Sequence, residues 1–274
     1  MAIVNRQVLP GFSLTLGYTV FYLSFLVLLP IAALLFRAGS LSFDEFWGAV
    51  WTERARAAYL LTFGAAFIAA AVNLVLGLLI AWVLVRYTFP GKKIMDSLVD
   101  LPLALPTAVA GLVYAALYVP KGWLGQYLVP LGIHGAYTRL GIVLVLVFVG
   151  LPFVVRTVQP ILEDLDPESE EASASLGATR WQTFQNIIVP TLYPALITGF
   201  ALAFSRGVGE YGSVVFVSGN KPFDTEIAPI LIVARLEEFA YSEATAIAVV
   251  LLVISFAMLI LINLLERWSM RHER

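Results

Sequence analysis

Two charged residues lie four positions apart inside one of the most apolar stretches of the chain. Arg206 and Glu210 belong to FSRGVGEYGSVVFVSGN, residues 204–220. At this spacing they share one face of a helix, and each is the other's natural partner. An isolated charge near the bilayer centre costs about 2.5–3.5 kcal/mol, so such residues usually pair and face a bundle interior or water. The pair is either a static contact that fixes helix packing or part of a gate or pathway. Three glycines that leave room for a close neighbour or a bend favour the second role: Gly207, Gly209 and Gly212.

A second polar feature opens the apolar segment DLPLALPTAVAGLVYAALY, residues 100–118. Pro102 and Pro106 break the helix near its start, and the Thr107 hydroxyl can satisfy backbone groups that the prolines free. Broken backbone at membrane depth is tolerated where it is buried in protein or lines a cavity. A plain proline kink is the alternative.

Other chemistry has little support in the sequence. There is no cysteine, which excludes a thiol nucleophile and a thiolate metal site, and the two histidines, His134 and His272, are far apart. We expect no metal site and no catalytic residue. The phosphate-binding pattern G-x4-G-K-[ST] is absent, so ATP that drives this protein would be hydrolysed by another chain. The net charge of −2 and the lack of a basic cluster give no reason to expect nucleic acid.

The composition predicts an integral membrane protein. The chain of 274 residues is 60% hydrophobic and 13% charged, whereas soluble domains are roughly 45–50% apolar and about 25% charged. A spanning helix needs about 20 mainly apolar residues, and the apolar runs are too long and too uniformly apolar for barrel strands. We therefore predict an all-α membrane protein forming a single transmembrane domain. Its six spans are residues 18–36, 59–85, 98–118, 140–162, 192–217 and 244–265.

Six spans place both termini on one side of the membrane. The lysines and arginines that flank the spans number nine on the side of the termini and seven on the other. Positive charge favours the cytoplasm, so both termini and residues 163–191 are predicted to be cytoplasmic. The apolar run of the first span is longer than a signal-peptide core and no clear cleavage site follows it, so we expect it to be retained.

Residues 163–191 interrupt the apolar pattern with a polar hairpin. Asp166 and Pro167 form a helix start, and glutamates follow in the first turns, where the helix dipole favours negative charge. Gly177 is suited to end that helix. Thr179 can cap a second helix, Arg180 to Val189, that Pro190 helps to terminate. From these features alone the hairpin is either an amphipathic connector on the lipid headgroups or a docking element for a soluble partner.

The spacing in the hairpin resembles the EAA loop of ABC-importer permeases, E-A-A-x3-G-x9-I-x-L-P. The matching residues are Glu171, Ala172, Gly177, Ile187 and Pro190, with Ser173 and Val189 as conservative departures. The resemblance implies the type I permease fold of ABC importers, in which these residues form a coupling helix that inserts into a cytoplasmic ATPase subunit.

Three further segments are similar to sulfate/thiosulfate permeases of the CysT type. They are LPLALPTAVAGLVYAALY, LGIVLVLVFVGLPFVVRTVQPILEDLDPE and GEYGSVVFVSGNKPFDTEIAPILIVARLEEF. The resemblance implies a non-catalytic subunit in a bacterial-type inner membrane. Its partners would be a second, homologous permease, two ATPase subunits that use ATP and Mg²⁺, an oxyanion-binding protein on the outer side, and membrane lipid. The pathway candidates are Thr107, Arg206, Glu210, Tyr211 and Ser213.

Three alternatives stay open at this point. Molybdate/tungstate permeases share the EAA loop and a similar Gly-Glu-aromatic-Gly element. An ion-coupled carrier would use Glu210 as its titrating group, although such carriers often show internal repeats and we find no convincing one. A membrane-embedded lipid enzyme would need a denser cluster of acid, base or metal-binding side chains than Arg206 and Glu210 provide.

Overall fold

The computed structural model describes residues 12–271, without the side chains of residues 13 and 265–271. Within this range the regular structure is helical, and no β-strand is present. The first half contains α1 Phe12–Leu23, α2 Leu29–Gly39, α3 Phe43–Val50, α4 Glu53–Arg86, α5 Lys92–Val99, α6 Leu101–Ala104, α7 Thr107–Tyr118 and α8 Gly125–Leu128. The second half contains α9 Arg139–Glu163, α10 Pro167–Ser175, α11 Arg180–Thr183, α12 Val189–Val208, α13 Val214–Val217, α14 Ala228–Glu237 and α15 Tyr241–Arg271. His272 lies outside the described residues, as do Arg6 and Arg274, which are among the nine lysines and arginines counted on the side of the termini.

Five continuous helices in the described range are long and apolar enough to cross a membrane. They are Leu14–Gly39, Glu53–Arg86, Arg139–Glu163, Arg180–Val208 and Tyr241–Leu264. The third segment predicted to span contributes a shorter apolar helix, α7, which has 12 residues. The structure therefore confirms that the described part of the chain is all-helical, with several helices long and apolar enough to span a membrane.

Three of the long helices, α4, α9 and α12, pack together as the core. Small residues stand where their backbones come closest: a Cβ added to Gly77 of α4 would lie 2.6 Å from Cγ1 of Val154 in α9. Asn73 is fully buried in the same contact, beside Gly150 of α9. Lipid tails are as apolar as the helices themselves, so close packing through small residues is what favours helix association in a bilayer.

The remaining helices surround this core. The last helix, α15, packs against α12 and α14, and it also contacts α2 and α3. By contrast, no residue of the first spanning helix, Leu14–Gly39, is buried. One end of the chain thus adds a helix to the edge of the bundle, where its apolar side chains remain exposed.

Within the described residues, five prolines lie inside spanning helices without ending them: Pro30, Pro152, Pro160, Pro190 and Pro194. A π turn precedes two of them. The turn Ser24–Leu28 comes before Pro30, and the turn Phe184–Ile188 comes before Pro190. In each case the first backbone bond after the turn reaches five residues back, from Leu29 to Ser24 and from Val189 to Phe184. A proline ring clashes with the carbonyl of the preceding turn, and the wider π turn gives it room. The prediction that Pro190 helps to terminate a helix ending at Val189 was therefore wrong.

Two predicted spans are interrupted. The segment 98–118 divides at Leu105 and Pro106, as its prolines predicted, and α7 begins at Thr107. The segment 192–217 was predicted as one span, yet α12 ends at Val208 and helical structure resumes at Val214. The physical reason is found in the intervening residues 209–213, where the Ser213 N–H donates to the Glu210 side chain instead of continuing the helix.

Candidate functional site

The two interrupted segments cross each other at one place in the bundle. A Cβ on Gly111 of α7 would overlap the backbone of Ser213, and a Cβ on Gly212 would overlap the Thr107 hydroxyl. The two glycines therefore permit a contact between backbones that any side chain would prevent. We call this contact the crossing point and define it by Thr107, Gly111, Glu210, Gly212 and Ser213.

Glu210 organises the crossing point. Its side chain is 2% exposed, and Oε1 accepts hydrogen bonds from the Ser213 backbone N–H at 2.8 Å and from the Ser213 hydroxyl at 2.9 Å. Oε2 accepts from Nη1 of Arg206, which forms the predicted i,i+4 ion pair. The carboxylate thus accepts from a backbone N–H just after α12 ends, and its charge is neutralised by Arg206 in the last turn of α12.

Arg206 keeps part of its side chain accessible. Its side chain is 33% exposed, compared with 2% for Glu210. A guanidinium has five N–H donors, and the hydrogen bond from Nη1 is the one that Arg206 makes among the described residues. Tyr211 is also exposed, whereas Ser213 is fully buried. Among the predicted pathway residues, Thr107, Glu210 and Ser213 meet at the crossing point, with Arg206 attached through Glu210.

The polar hairpin, residues 163–191, forms at the far end of the helix that carries Arg206. Oδ1 of Asp166 accepts from the Glu168 N–H at 2.9 Å, which confirms the predicted helix start. Gly177 has φ +83° and leads out of α10, as predicted for a left-handed cap. Thr179 and Gln182 form a reciprocal capping box at the start of α11. These local devices give the hairpin a fixed turn between its two arms.

The two arms are also joined through their buried face. The hydroxyls of Ser173 and Thr183 lie 2.9 Å apart and both residues are buried. Ser173 is the position where the EAA loop usually has its second alanine, so this departure adds an internal hydrogen bond. Glu171, Ala172 and Gly177 are exposed, whereas Ile187 and Pro190 are half-buried. Three of the predicted coupling residues are therefore accessible to a partner, and the other two lie where the hairpin joins the spanning helix.

The hairpin is fixed to the end of α4. Arg86, the last residue of α4, forms an ion pair with Glu170 of α10. One turn earlier, the Trp82 ring makes an edge contact with Phe184, with centroids 5.6 Å apart. The Arg86 guanidinium lies over the Trp82 ring at 5.2 Å. An electrostatic contact and an aromatic contact thus connect the hairpin to the central bundle.

Several charged contacts were not predicted because they join distant parts of the chain. Arg156 of α9 bonds to Asp96 and Asp100 at 2.6 Å and so ties the α5–α6 segment to the core. At the other end of the bundle, Arg54 pairs in a bidentate manner with the buried Glu226, with both distances at 2.7 Å. Asp96 and Asp100 form an acidic pair four residues apart just before α6, and this pair was the available sequence signal for the contact with Arg156. We find no comparable sequence signal for the second.

The chain is similar to known proteins over most of its length. Residues 73–272 match the family model described as "Binding-protein-dependent transport system inner membrane component". The "Sulfate transport system permease protein CysT" of Synechocystis sp. is 52% identical over 254 residues, covering 93% of this chain and 89% of the relative. The protein of the same name from Escherichia coli is 47% identical, covering 97% and 96%.

Solved structures show the same fold at low identity. A bacterial ABC transporter that imports the acidic polysaccharide alginate matches with a TM-score of 0.76 at 17% identity, covering 93% of this chain and 94% of that one. The MetNI methionine ABC transporter matches with a TM-score of 0.58 at 17% identity, covering 84% and 99%. Since the family model covers more than half of the sequence and the relatives are aligned over nearly all of it, the chain belongs to the family of binding-protein-dependent transport system inner membrane components.

Proposed function

We propose that this chain is the permease subunit of an ATP-driven ABC importer for sulfate and thiosulfate. The observation that carries the proposal is the similarity of 47–52% identity, over 93–97% of the chain, to several relatives named as sulfate transport permeases. The chain itself would perform no catalysis and hold no cofactor. Transport would use ATP and Mg²⁺ on a separate ATPase.

The proposed topology has six spans, with α7 as the short membrane part of the third. Both termini and the polar hairpin then face the cytoplasm, in a bacterial-type inner membrane. The full transporter contains a second, homologous permease, two ATPase subunits and an oxyanion-binding protein on the outer side. A neighbour in the alginate system, whose structure is described as a complex with a periplasmic protein, supports the last partner; it has a TM-score of 0.76 and covers 93% of each chain.

The polar hairpin is proposed as the coupling helix. Glu171, Ala172 and Gly177 form its exposed contact surface, while Ile187 and Pro190 lie where it continues into the spanning helix. The pair Arg86–Glu170 and the bonded hydroxyls of Ser173 and Thr183 support this role, because a hairpin held rigidly can transmit movement.

The crossing point is proposed as part of the translocation pathway or its gate. Glu210 would hold the broken backbone, and Arg206 would offer its remaining N–H donors to the oxyanion. Thr107, Tyr211 and Ser213 complete the proposed set. The partial exposure of Arg206 beside a fully bonded Glu210 supports this division of roles.

A double-mutant cycle separates a pathway role for Arg206 from a purely structural one. Arg206→Gln leaves the buried Glu210 charge without its partner, which costs on the order of 3 kcal/mol. Glu210→Gln removes the carboxylate that supports the non-helical backbone after α12. We expect both single variants to lose yield and sulfate uptake. The double variant should regain folded, assembled complex, measured by thermal unfolding, but not uptake. Recovery of uptake in the double variant would mean that the pair only fixes helix packing.

Gly177→Asp tests the coupling surface, with Gly91→Asp as a matched control. Both glycines have φ near +85° and open space around an added Cβ, and both lie at the same end of the bundle. We expect Gly177→Asp to weaken co-purification of the ATPase about ten-fold or more, corresponding to about 1.4 kcal/mol. Gly91→Asp should retain it. Equal retention by both variants would remove the coupling role from the hairpin.

Reconstitution of the whole complex with its binding protein tests the substrate. Sulfate and thiosulfate are each added through the binding protein, and ATP hydrolysis and uptake into liposomes are measured. We expect several-fold stimulation by both anions. Stimulation by molybdate alone would contradict the assignment and favour a molybdate/tungstate permease, which is why that anion is included.

A further inference from the structure

A groove lies between the hairpin end of α4 and the start of the helix Arg180–Val208. Its volume is about 430 Å³, and its lining is almost entirely hydrophobic. The residues that form it are Leu78, Leu79, Trp82, Arg180, Trp181 and Phe184. The groove thus combines apolar and aromatic walls with one cationic side chain.

Arg180 is the charge in this groove that no contact among the described residues neutralises. It is exposed, and none of the ion pairs found in residues 12–271 includes it. Glu170, the carboxylate that lines the adjacent groove, is engaged by Arg86. A cation in the first turn of a helix is disfavoured by the helix dipole, so the local helix gives no reason for an arginine here.

The apolar part of the groove continues onto the outer surface of the bundle. Leu79 is 56% exposed and belongs to a stripe of exposed apolar residues on α4, with Val72, Val75, Leu76 and Val83. Trp181 is 63% exposed beside Arg180. Tryptophan is enriched where a membrane protein meets the lipid headgroups. The stripe gives an acyl chain a path along the helix, and the tryptophan lies at its polar end.

We infer that this groove binds an anionic phospholipid of the cytoplasmic leaflet, with the headgroup phosphate on Arg180 and an acyl chain along Leu78, Leu79 and Phe184. Basic pockets between spanning helices on the cytoplasmic side bind anionic headgroups, and the charge and shape of the groove match such an amphipathic ligand. The choice of leaflet rests on the proposed function, which places the hairpin in the cytoplasm. Because one wall comes from α4 and the other from the hairpin, the bound lipid would hold the two together.

Native mass spectrometry of the intact transporter tests this site by titration with phosphatidylglycerol and with phosphatidylcholine. We expect wild-type complex to retain phosphatidylglycerol preferentially. Arg180→Gln should bind it about five-fold more weakly, the factor that corresponds to about 1 kcal/mol for one basic residue. Arg180→Lys should largely preserve binding because the positive charge remains. Lys93→Gln, which removes an exposed cation from α5 at the same end of the bundle, should bind like wild type.

Three results would overturn the inference. They are no preference for phosphatidylglycerol in the wild type, equal binding by Arg180→Gln, and equal loss in Lys93→Gln, which would indicate a general charge effect. A photoreactive benzoylphenylalanine in place of Trp181 provides a second measurement: cross-links to lipid support the site, and cross-links mainly to another subunit contradict it. Sulfate-stimulated ATP hydrolysis measured on the same preparation reports on the proposed function separately from lipid binding.

Discussion

The hydrogen bonds and the ion pair of the Glu210 carboxylate are the interactions on which the arrangement of the bundle depends most. A helix that stops inside a membrane protein leaves backbone groups unbonded, and each such group costs several kcal/mol in lipid. Glu210 compensates for this break by accepting from the Ser213 N–H and hydroxyl, and Arg206 neutralises its charge. The non-helical segment can therefore lie against α7, at a distance that only Gly111 and Gly212 permit.

The same helix connects that break to the polar hairpin. Helical structure runs without interruption from Arg180 to Val208 and passes Pro190 through a π turn. A helix of this length extends about 43 Å, so the hairpin and Arg206 occupy the two ends of one rod. In the proposed transporter, displacement of the hairpin by the ATPase would reach the crossing point through this rod. The sequence analysis predicted a separate short helix for the second arm of the hairpin. In the structure this arm is continuous with the spanning helix that carries Arg206.

The features that could be predicted from sequence are those that neighbouring residues determine. Asp166, Gly177 and Thr179 act through bonds or dihedral angles within a few residues, and Arg206 and Glu210 are four apart on one helix.

The end of α12 at Val208 was missed because residues 209–217 are apolar enough to continue a span, and the bond that ends the helix is made by the Glu210 side chain. Pro190 was misjudged because a π turn leaves no clear sign in composition. Arg54 and Glu226 are 172 positions apart, so their pairing depends on the packed bundle. The roles of the coupling and pathway residues remain predictions that the bundle geometry supports.

The most direct measurement of the central claim, that the hairpin is where the ATPase attaches, is site-specific cross-linking from the hairpin. The chain has no cysteine, so a single Leu176→Cys substitution introduces one thiol, at a side chain that is 90% exposed beside Gly177. Treatment of the intact transporter with a short thiol-to-amine cross-linker should join this position to the ATPase subunit, identified by mass spectrometry. Phe239→Cys, which is 76% exposed in the native side chain and lies at the opposite end of the bundle, should give no such product. If both positions fail to reach the ATPase, or Phe239→Cys reaches it and Leu176→Cys does not, the hairpin is not the coupling element.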